Sequence, residues 1–419
     1  MQTWLLPEYV EDMLPEEAWW VERMRTQFLD LLRKSGYQLV APPLLEYAES
    51  LLIDGSADMD LRTFKLVDQL SGRTLALRAD ITPQVARIDA HLLNRQGVAR
   101  LCYAGSVLHT QPMGLTRTRE LLQIGAELYG HGGLESDLEI QQLMLQSLAL
   151  LGIQDVHLDL GHVGVFRALV SHAKLGDVAP TRRCEASGAG GAAGDRSRNR
   201  LASPVTCHGR DIENELFTAL QSKDNAALQT LTQSLDATLR NALLALPTLY
   251  GNCDYVLAQA RKLLPDYPGI TAALDDLQNI SGKLQLLVSS VGIDLADLRG
   301  YHYHSGMVFA AYHAGSHDAI ALGGRYDDLG KVFGRARAAT GFSMDLRQLY
   351  RLLPPQAASL GIYAPYLDDA VLRDKIAQLR AAGETVVVDL LGDAALRGEL
   401  QCDRELILRD GAWQVFEMK

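Results

Sequence analysis

The order of hydrophobic and polar positions predicts helices and strands in separate blocks. Apolar side chains recur at helical spacing over residues 16–35 and again over 135–151. Alternating runs over 61–78, 100–108 and 121–129 are typical of strands, and the first of these contains the turn of a hairpin. Because the strands do not alternate with helices as βαβ units, the pattern favours an α+β fold with an antiparallel sheet.

The second half of the chain changes pattern several times. Residues 176–211 are dominated by Gly, Ala, Ser and Arg, which is typical of a flexible insertion or linker. Residues 212–284 return to a Leu- and Ala-rich pattern and predict a helical insertion. A helix is predicted over 341–353, ending at Pro354 and its neighbouring proline. Residues 356–419 follow a β–α–β pattern, which predicts a small α/β module.

Composition narrows the class of protein. The chain has 419 residues, of which 47% are hydrophobic and 22% are charged, as in ordinary globular proteins. Its net charge of −11 argues against a nucleic-acid partner. The five cysteines include no C-x-x-C pair, and no apolar run approaches the ~18 residues of a membrane span. The first residues turn acidic, unlike a secretory leader, so we expect a cytoplasmic protein without a membrane segment.

Three polar clusters are candidates for ligand binding. The first follows a strand, the second occupies one face of a strand, and the third lies at a turn in the run LRGYHYHSG. Carboxylates that take an ammonium and an arginine that takes a carboxylate suit an amino-acid zwitterion. An equally open interpretation is that each is an isolated, solvated strand residue. The residues are Asp80 and Thr82; Gln123 and Glu127; and Arg299, Tyr303 and His304.

Metal and cofactor chemistry has little support in the sequence. His302 and His304 are spaced as two ligands of a metal could be, but no third ligand is apparent. The chain contains no phosphate-binding loop, no G-x-G-x-x-G run and no H-E-x-x-H motif. We therefore expect neither a metal site nor a cofactor.

Read together, the polar clusters and their flanking segments resemble the core of the class II histidyl-tRNA synthetases. Residues 100–130 resemble that family's motif 2 without a gap, and 37–47 resemble the end of motif 1. Residues 298–310 resemble the histidine-specific segment, and 323–349 resemble motif 3. The resemblance assigns 1–175 and 285–353 to this core. It implies a six-stranded antiparallel sheet flanked by helices and a homodimer built around motif 1.

The resemblance implies that the histidine-binding positions are largely kept. Thr82, Gln123, Glu127, Arg299 and Tyr303 match the family, Asp80 replaces a glutamate, and His304 replaces a tyrosine. These seven residues would form a pocket for L-histidine that is either a relic or a sensor.

The positions that would bind ATP are lost. His109 replaces the motif 2 arginine, Gln111 its partner glutamate, and Gln348 the motif 3 arginine. Arginine stabilises the charge that develops on a phosphate with a permanently ionised, bidentate group. Loss of one such donor costs about 10²–10³ in rate, so loss of two predicts negligible adenylate formation. We therefore expect no catalytic residue in this chain.

A synthetase core without ATP chemistry is similar to the regulatory subunits of ATP phosphoribosyltransferase. Residues 78–87 (RADITPQVAR) and 300–315 (GYHYHSGMVFAAYHAG) resemble that family more than the synthetases. The resemblance implies a non-catalytic subunit that assembles with a short-form catalytic subunit in a hetero-oligomer. It also implies a role in the first step of L-histidine biosynthesis, with L-histidine as the feedback effector. The net charge of −11 and a C-terminal module shorter than an anticodon-binding domain argue against productive tRNA binding.

Two other functions remain open from the sequence. One is an active histidyl-tRNA synthetase with an atypical ATP site, which histidine-dependent exchange of pyrophosphate into ATP would reveal. The other is a stand-alone histidine-binding or tRNA-sensing module that regulates a different enzyme.

Overall fold

The computed structural model describes residues 4–52, 57–112, 118–173, 210–301, 303–354 and 360–418. The chain divides into two compact units, residues 1–353 and residues 354–419, which are considered separately here. The insertion predicted over 176–211 lies outside the described residues except for its last two, which begin a helix.

Sixteen strands lie in the described part of the chain. They are β1 (Gln38–Leu39), β2 (Leu45–Tyr47), β3 (Lys65–Val67), β4 (Thr74–Leu77), β5 (Ala99–Leu108), β6 (Glu120–Tyr129), β7 (His157–His162), β8 (Tyr250–Asn252), β9 (Ser290–Asp294), β10 (Met307–Tyr312), β11 (Ala321–Arg325), β12 (Ala339–Asp345), β13 (Gly361–Pro365), β14 (Val386–Asp389), β15 (Cys402–Arg409) and β16 (Ala412–Glu417).

The same residues contain thirteen α-helices. They are α1 (Pro15–Lys34), α2 (Ala48–Leu51), α3 (Ala57–Arg62), α4 (Thr82–Arg87), α5 (Leu134–Leu150), α6 (Val163–His172), α7 (Arg210–Gln221), α8 (Asn225–Leu231), α9 (Ala237–Ala245), α10 (Cys253–Leu263), α11 (Pro268–Leu284), α12 (Leu346–Leu352) and α13 (Ala370–Ala381). None of the described helices is long and apolar enough to cross a bilayer.

The main sheet of the larger unit has nine strands in the order β1-β5-β6-β12-β11-β10-β7-β9-β8. The strands from β5 to β7 in this order pair antiparallel, whereas β1 with β5 and β7 with β9 pair parallel. The predicted sheet of six antiparallel strands was therefore wrong in strand number and in orientation at the edges. The added strands are short and join through distant segments of the chain, and local alternation does not encode such pairings.

Helices α1, α5 and α11 cover one face of this sheet, and the polar residues lie on the other face, where α4 packs in a cluster with β5. Phe28 of α1 is fully buried and meets Phe342 of β12 edge-on, with ring centroids 6.3 Å apart. Helices α5 and α11 pack against the same core through Ile140 and Leu277, both without exposed surface. Because successive side chains of a strand alternate in direction, the residues beside Phe342 point to the opposite face.

The helix predicted over 341–353 was wrong in its first part. Residues Ala339–Asp345 form β12, and α12 begins at Leu346 with Asp345 as its cap. The carboxylate of Asp345 accepts a hydrogen bond from the backbone N–H of Arg347 at 3.1 Å. The strand alternates and the helix is short, so the run GFSMDLRQL fits both periods and the sequence alone could not divide it.

The smaller unit contains a four-stranded sheet in the order β14-β13-β15-β16. Strand β13, helix α13 and strand β14 follow the expected β–α–β order, and the hairpin of β15 and β16 was missed. Leu372 and Ile376 of α13 pack in a cluster with Trp413. The indole of Trp413 donates to the carboxylate of Asp369 at 2.8 Å, which fixes the start of α13 on the sheet.

Candidate functional site

A cavity of about 460 Å³ opens on the face of the main sheet that the core helices leave free. Strands β6, β10, β11 and β12 form its floor, and one wall is formed by Asp297, Arg299, Gly300, Tyr303 and His304. Six of the seven residues predicted for histidine binding line it, namely Asp80, Thr82, Glu127, Arg299, Tyr303 and His304. The seventh, Gln123, lines an adjoining cavity and contacts Asp80 directly.

Glu127 is the deepest charged group of the cavity, with 1% of its surface exposed. Its carboxyl group accepts a hydrogen bond from Tyr103 at 3.1 Å and another, very short, from Tyr326. Burial raises the pKa of Glu127 to about 8, because an ionised carboxylate loses hydration there. At neutral pH this carboxyl group is therefore mostly protonated and can donate as well as accept a hydrogen bond.

Asp80 and Gln123 form a second polar group nearer the mouth. The amide nitrogen of Gln123 donates to Asp80 at 2.7 Å, while its amide oxygen accepts from the backbone N–H of Ile81 at 2.9 Å. Asp80 also accepts from the backbone N–H of Thr82 at 3.1 Å, which makes Asp80 part of the turn that begins α4. Thr82 is the first residue of that helix, and its hydroxyl lies 3.2 Å from the hydroxyl of Tyr103. These bonds hold the Asp80 carboxylate toward the cavity.

Tyr303 and His304 line the same wall. The Tyr303 hydroxyl is buried and has no hydrogen-bond partner among the described residues, so it is available to a ligand. His304 lies 3.2 Å from the carbonyl oxygen of Arg325 through Nδ1. Because a carbonyl only accepts, Nδ1 carries the proton and Nε2 is left as an acceptor. Burial lowers the pKa of His304 to about 4, which keeps the imidazole neutral at pH 7.

Arg299 is the cation of the cavity that sequence analysis predicted. Its guanidinium group pairs with Asp297, with Nε 2.8 Å from one carboxylate oxygen and 3.0 Å from the other. Burial lowers the pKa of Arg299, but hydrogen bonding and the charge of Asp297 outweigh it, so the net pKa is raised and the group stays ionised. The guanidinium also lies 5.8 Å from the ring centroid of Tyr312.

Tyr326 and Asp297 are among the cavity residues that sequence reasoning missed. Tyr326 lies within residues 323–349, which resemble motif 3, yet no role was assigned to it. Its hydroxyl contacts both Glu127 and Tyr129. Asp297 precedes Arg299 by two residues, a spacing at which a carboxylate commonly bonds its own neighbouring backbone. That spacing was the available signal for Asp297.

A smaller cavity of about 190 Å³ adjoins the first and contains the positions where ATP binding was expected to be lost. His109 lies 2.8 Å from the carbonyl oxygen of Ala79 through Nε2. Gln348 donates to Ser316 at 3.2 Å and to the carbonyl oxygen of Ala319 at 3.3 Å. Both side chains are thus bound to the protein itself. Gln111 is exposed and does not line this cavity.

Metal ligands are not assembled within the described ranges. No group of three or more His, Cys, Asp or Glu side chains in that part of the chain is placed to hold an ion. His302, which sequence analysis paired with His304, lies outside the described residues.

Comparison with known proteins places this geometry in a family. The model of the histidyl-tRNA synthetase family matches residues 9–184 and 201–349. The model described as the ATP phosphoribosyltransferase subunit HisZ C-terminal domain matches residues 358–416. The helical segment predicted to be an insertion thus lies inside the first match.

Curated relatives decide between the histidyl-tRNA synthetases and the ATP phosphoribosyltransferase regulatory subunits. The ATP phosphoribosyltransferase regulatory subunit of Nitrosospira multiformis is 54% identical over 99% of this chain and 98% of its own length. That of Ralstonia nicotianae is also 54% identical, over 99% and 98%. The chain belongs to the ATP phosphoribosyltransferase regulatory subunit family. The predicted membership of this family, which consists of non-catalytic subunits, is confirmed.

Solved structures agree with this assignment. An ATP phosphoribosyltransferase regulatory subunit/histidyl-tRNA synthetase from Bacillus halodurans matches with a TM-score of 0.76 and 25% identity, over 95% of this chain and 96% of the other. Histidyl-tRNA synthetase from Nostoc has a TM-score of 0.72 at 17% identity, over 100% and 97%, which shows the fold alone. This chain therefore shares the fold of the histidyl-tRNA synthetases.

Proposed function

We propose that this chain assembles with a separate short-form catalytic subunit, activates ATP phosphoribosyl transfer, and binds L-histidine in the larger cavity as a feedback effector. The observation that carries the proposal is the contrast between the two adjoining cavities. The larger one keeps carboxyl groups, an arginine and an unpartnered tyrosine hydroxyl directed at a ligand. The smaller one is lined by His109 and Gln348, at positions where the resemblance to the synthetases implies arginines that bind a nucleotide phosphate.

The cavity matches both ends of histidine. A neutral imidazole has one donor and one acceptor nitrogen, and the deep end of the cavity offers a protonated Glu127, the Tyr303 hydroxyl and His304 Nε2. Asp80 offers a negative charge to the ammonium group. Arg299 offers a permanent positive charge to the carboxylate.

In this proposal, feedback arises because histidine binding is coupled to the state of the hetero-oligomer. Histidine would favour one state of the hetero-oligomer and lower its activity through a coupling free energy of ~1–3 kcal/mol. A structural neighbour from Thermotoga maritima was solved as an ATP phosphoribosyl transferase (HisG:HisZ) complex, with a TM-score of 0.54 over 80% of this chain. That complex supports a catalytic partner for this chain. Homodimerisation through the segment that resembles motif 1 is part of the same proposal.

The decisive experiment is phosphoribosyl-ATP formation by a short-form catalytic subunit, with and without this chain, titrated with histidine. We expect strong activation that histidine reverses. The double variant Glu127→Ala/Arg299→Ala should still activate but should lose histidine binding, measured by calorimetry on the isolated chain. The control is Asp275→Asn, which breaks an exposed ion pair between Asp275 and Arg261 that lies outside the cavity lining. Failure to activate the cognate catalytic subunit would contradict the proposal, and histidine-dependent exchange of pyrophosphate into ATP would restore the synthetase alternative.

A further inference from the structure

Asp297 and Arg299 form a closed ion pair inside the larger cavity. Both carboxylate oxygens of Asp297 meet the Nε edge of the guanidinium, and a third, very short contact joins Nη2. The carboxylate also accepts a hydrogen bond from the backbone N–H of Arg299 at 3.2 Å. Because this backbone bond ties Asp297 to its own turn, the carboxylate cannot move away from the guanidinium without breaking both kinds of contact.

Asp297 occupies the guanidinium group of Arg299, to which the carboxylate of an amino-acid ligand would bind. Asp297 takes the Nε–H and one Nη2–H, which is an edge that arginine uses for bidentate binding of a carboxylate. Only 15% of the Asp297 side chain is exposed, compared with 39% of Arg299. A ligand carboxylate must therefore approach the remaining guanidinium hydrogens with another carboxylate already in place, and the two negative charges repel each other at short range.

We infer that Asp297 is the affinity-setting residue of the cavity, which weakens binding of the ligand's carboxylate by pairing with Arg299 and so limits discrimination between amino acids and amines. The inference rests on the proposed function, since it takes histidine as the ligand. Three carboxyl groups, Asp80, Glu127 and Asp297, line the cavity together with the two guanidinium groups of Arg62 and Arg299. A sensor built in this way releases its ligand more readily than one with an unpaired arginine.

The chain provides a matched control three residues earlier. Asp294 also bonds a backbone N–H two residues on, that of Ala296 at 2.9 Å, and also pairs with a cation, Lys223 at 3.0 Å. It does not line the cavity. Replacing either aspartate by asparagine removes one charge and keeps an oxygen that can accept the local backbone bond.

The test compares L-histidine with L-histidinol, in which a CH₂OH group replaces the carboxylate. Each ligand is titrated calorimetrically into three forms of the full chain. These are the unsubstituted chain, the Asp297→Asn variant and the Asp294→Asn variant. We expect Asp297→Asn to bind histidine at least ten-fold more tightly while its affinity for histidinol changes less than three-fold. The unsubstituted chain should prefer histidine over histidinol by less than ten-fold, a measurement that needs no variant. Asp294→Asn should leave both affinities unchanged.

Each other result has a defined meaning. Equal or weaker histidine binding by Asp297→Asn would overturn the inference, since Asp297 would then orient Arg299 rather than compete for it. A preference of the unsubstituted chain for histidine above 100-fold would also overturn it. If no form binds either ligand, both the proposal that this cavity binds histidine and the inference about Asp297 are wrong. If Asp297→Asn binds histidine more tightly but activity in the complex ignores histidine, the feedback proposal fails and the inference stands.

Discussion

The carboxyl group of Glu127 lies against Cα of Gly341, its partner residue on the adjacent strand β12. A Cβ at position 341 would overlap Oε2 of Glu127 and approach the carbonyl oxygen of Ala126 to 2.8 Å. Glu127 cannot move away easily, since Tyr103 and Tyr326 hold its two oxygens. The absence of a side chain at 341 is therefore what allows a carboxyl group to sit on the floor of the cavity.

Gly341→Ala should displace Glu127 and abolish histidine binding. Overpacking at a rigid site typically costs 1–3 kcal/mol, so the free energy of unfolding should also fall by about that much. Gly282→Ala in α11, where an added Cβ meets nothing within 4 Å, should leave binding intact. Calorimetric titration with histidine and chemical denaturation of both variants would measure these effects. Unchanged histidine affinity in Gly341→Ala would mean that Glu127 does not contact the ligand.

The fold could be predicted from the sequence where a pattern is long and local. Helix α1 and the long strands β5 and β6 appear at nearly their expected limits because each carries several turns or alternations. Strand β1 (Gln38–Leu39) lies inside the short strand that the sequence predicts over 37–40, whereas edge strand β8, with three residues, contains too little pattern to be predicted. Their pairing depends on tertiary contacts that local spacing does not encode.

The site was predictable in its residue types more than in its arrangement. The resemblance named seven residues, and six of them line one cavity. It did not indicate that the Tyr326 hydroxyl would contact Glu127 or that Asp297 would pair with Arg299. The first contact joins segments 199 residues apart, and the second depends on the local side-chain conformation, which the motif does not encode. The binding of Gln348 to the loop at Ser316 likewise follows from packing.

Stability should depend on pH through Glu127. Burial raises its pKa from the ordinary 4.5 to about 8, so the folded chain holds this proton more tightly than the unfolded chain does. The resulting stabilisation is complete below pH 4.5 and is lost as the pH rises through about 8. Glu127→Gln has no such proton. The free energy of unfolding of the unsubstituted chain should therefore fall relative to that of Glu127→Gln between pH 5 and pH 9.

Chemical denaturation of both forms at those two pH values measures this difference. Glu215→Gln, which removes an exposed carboxylate from α7, controls for the loss of a surface charge. A difference that stays constant, or that grows in the opposite direction, would contradict a raised pKa at Glu127.

A buried ion pair beneath the cavity should be essential for stability. Arg325 of β11 donates to Asp137 of α5 at 2.8 Å and 3.0 Å, and both side chains are less than 10% exposed, at 8% and 6%. Asp137→Ala would remove the buried partner of the guanidinium and leave only the 40% exposed Asp327, 3.3 Å from Nη1, as a carboxylate partner among the described residues. Loss of a buried partner typically costs about 3–5 kcal/mol. Asp275→Ala, which breaks the exposed pair with Arg261, should cost less than about 1 kcal/mol.

The double variant Asp137→Ala/Arg325→Met separates charge from packing. If the cost of Asp137→Ala comes from the unpaired charge, removing Arg325 as well should recover part of the lost stability. The free energies of unfolding of the unsubstituted chain and of the single and double variants, from thermal and chemical unfolding, form a double-mutant cycle. Additive losses would instead assign the cost to packing around α5.

The smaller cavity should gain affinity for ATP when arginine is placed at the two positions where the resemblance to the synthetases implies it. His109 and Gln348 both line it, and neither provides a permanent charge for a phosphate group. A hydrogen bond to a charged group contributes about 1.5–3 kcal/mol, so His109→Arg/Gln348→Arg should bind ATP at least 100-fold more tightly than the unsubstituted chain. Adding two arginines at the exposed positions Gln233 and Gln285 controls for a general rise in positive charge. Equilibrium binding of a fluorescent ATP analogue is compared between the two double-arginine variants. Equal gains in both variants would mean that net charge, rather than the identity of residues 109 and 348, keeps ATP out of this cavity.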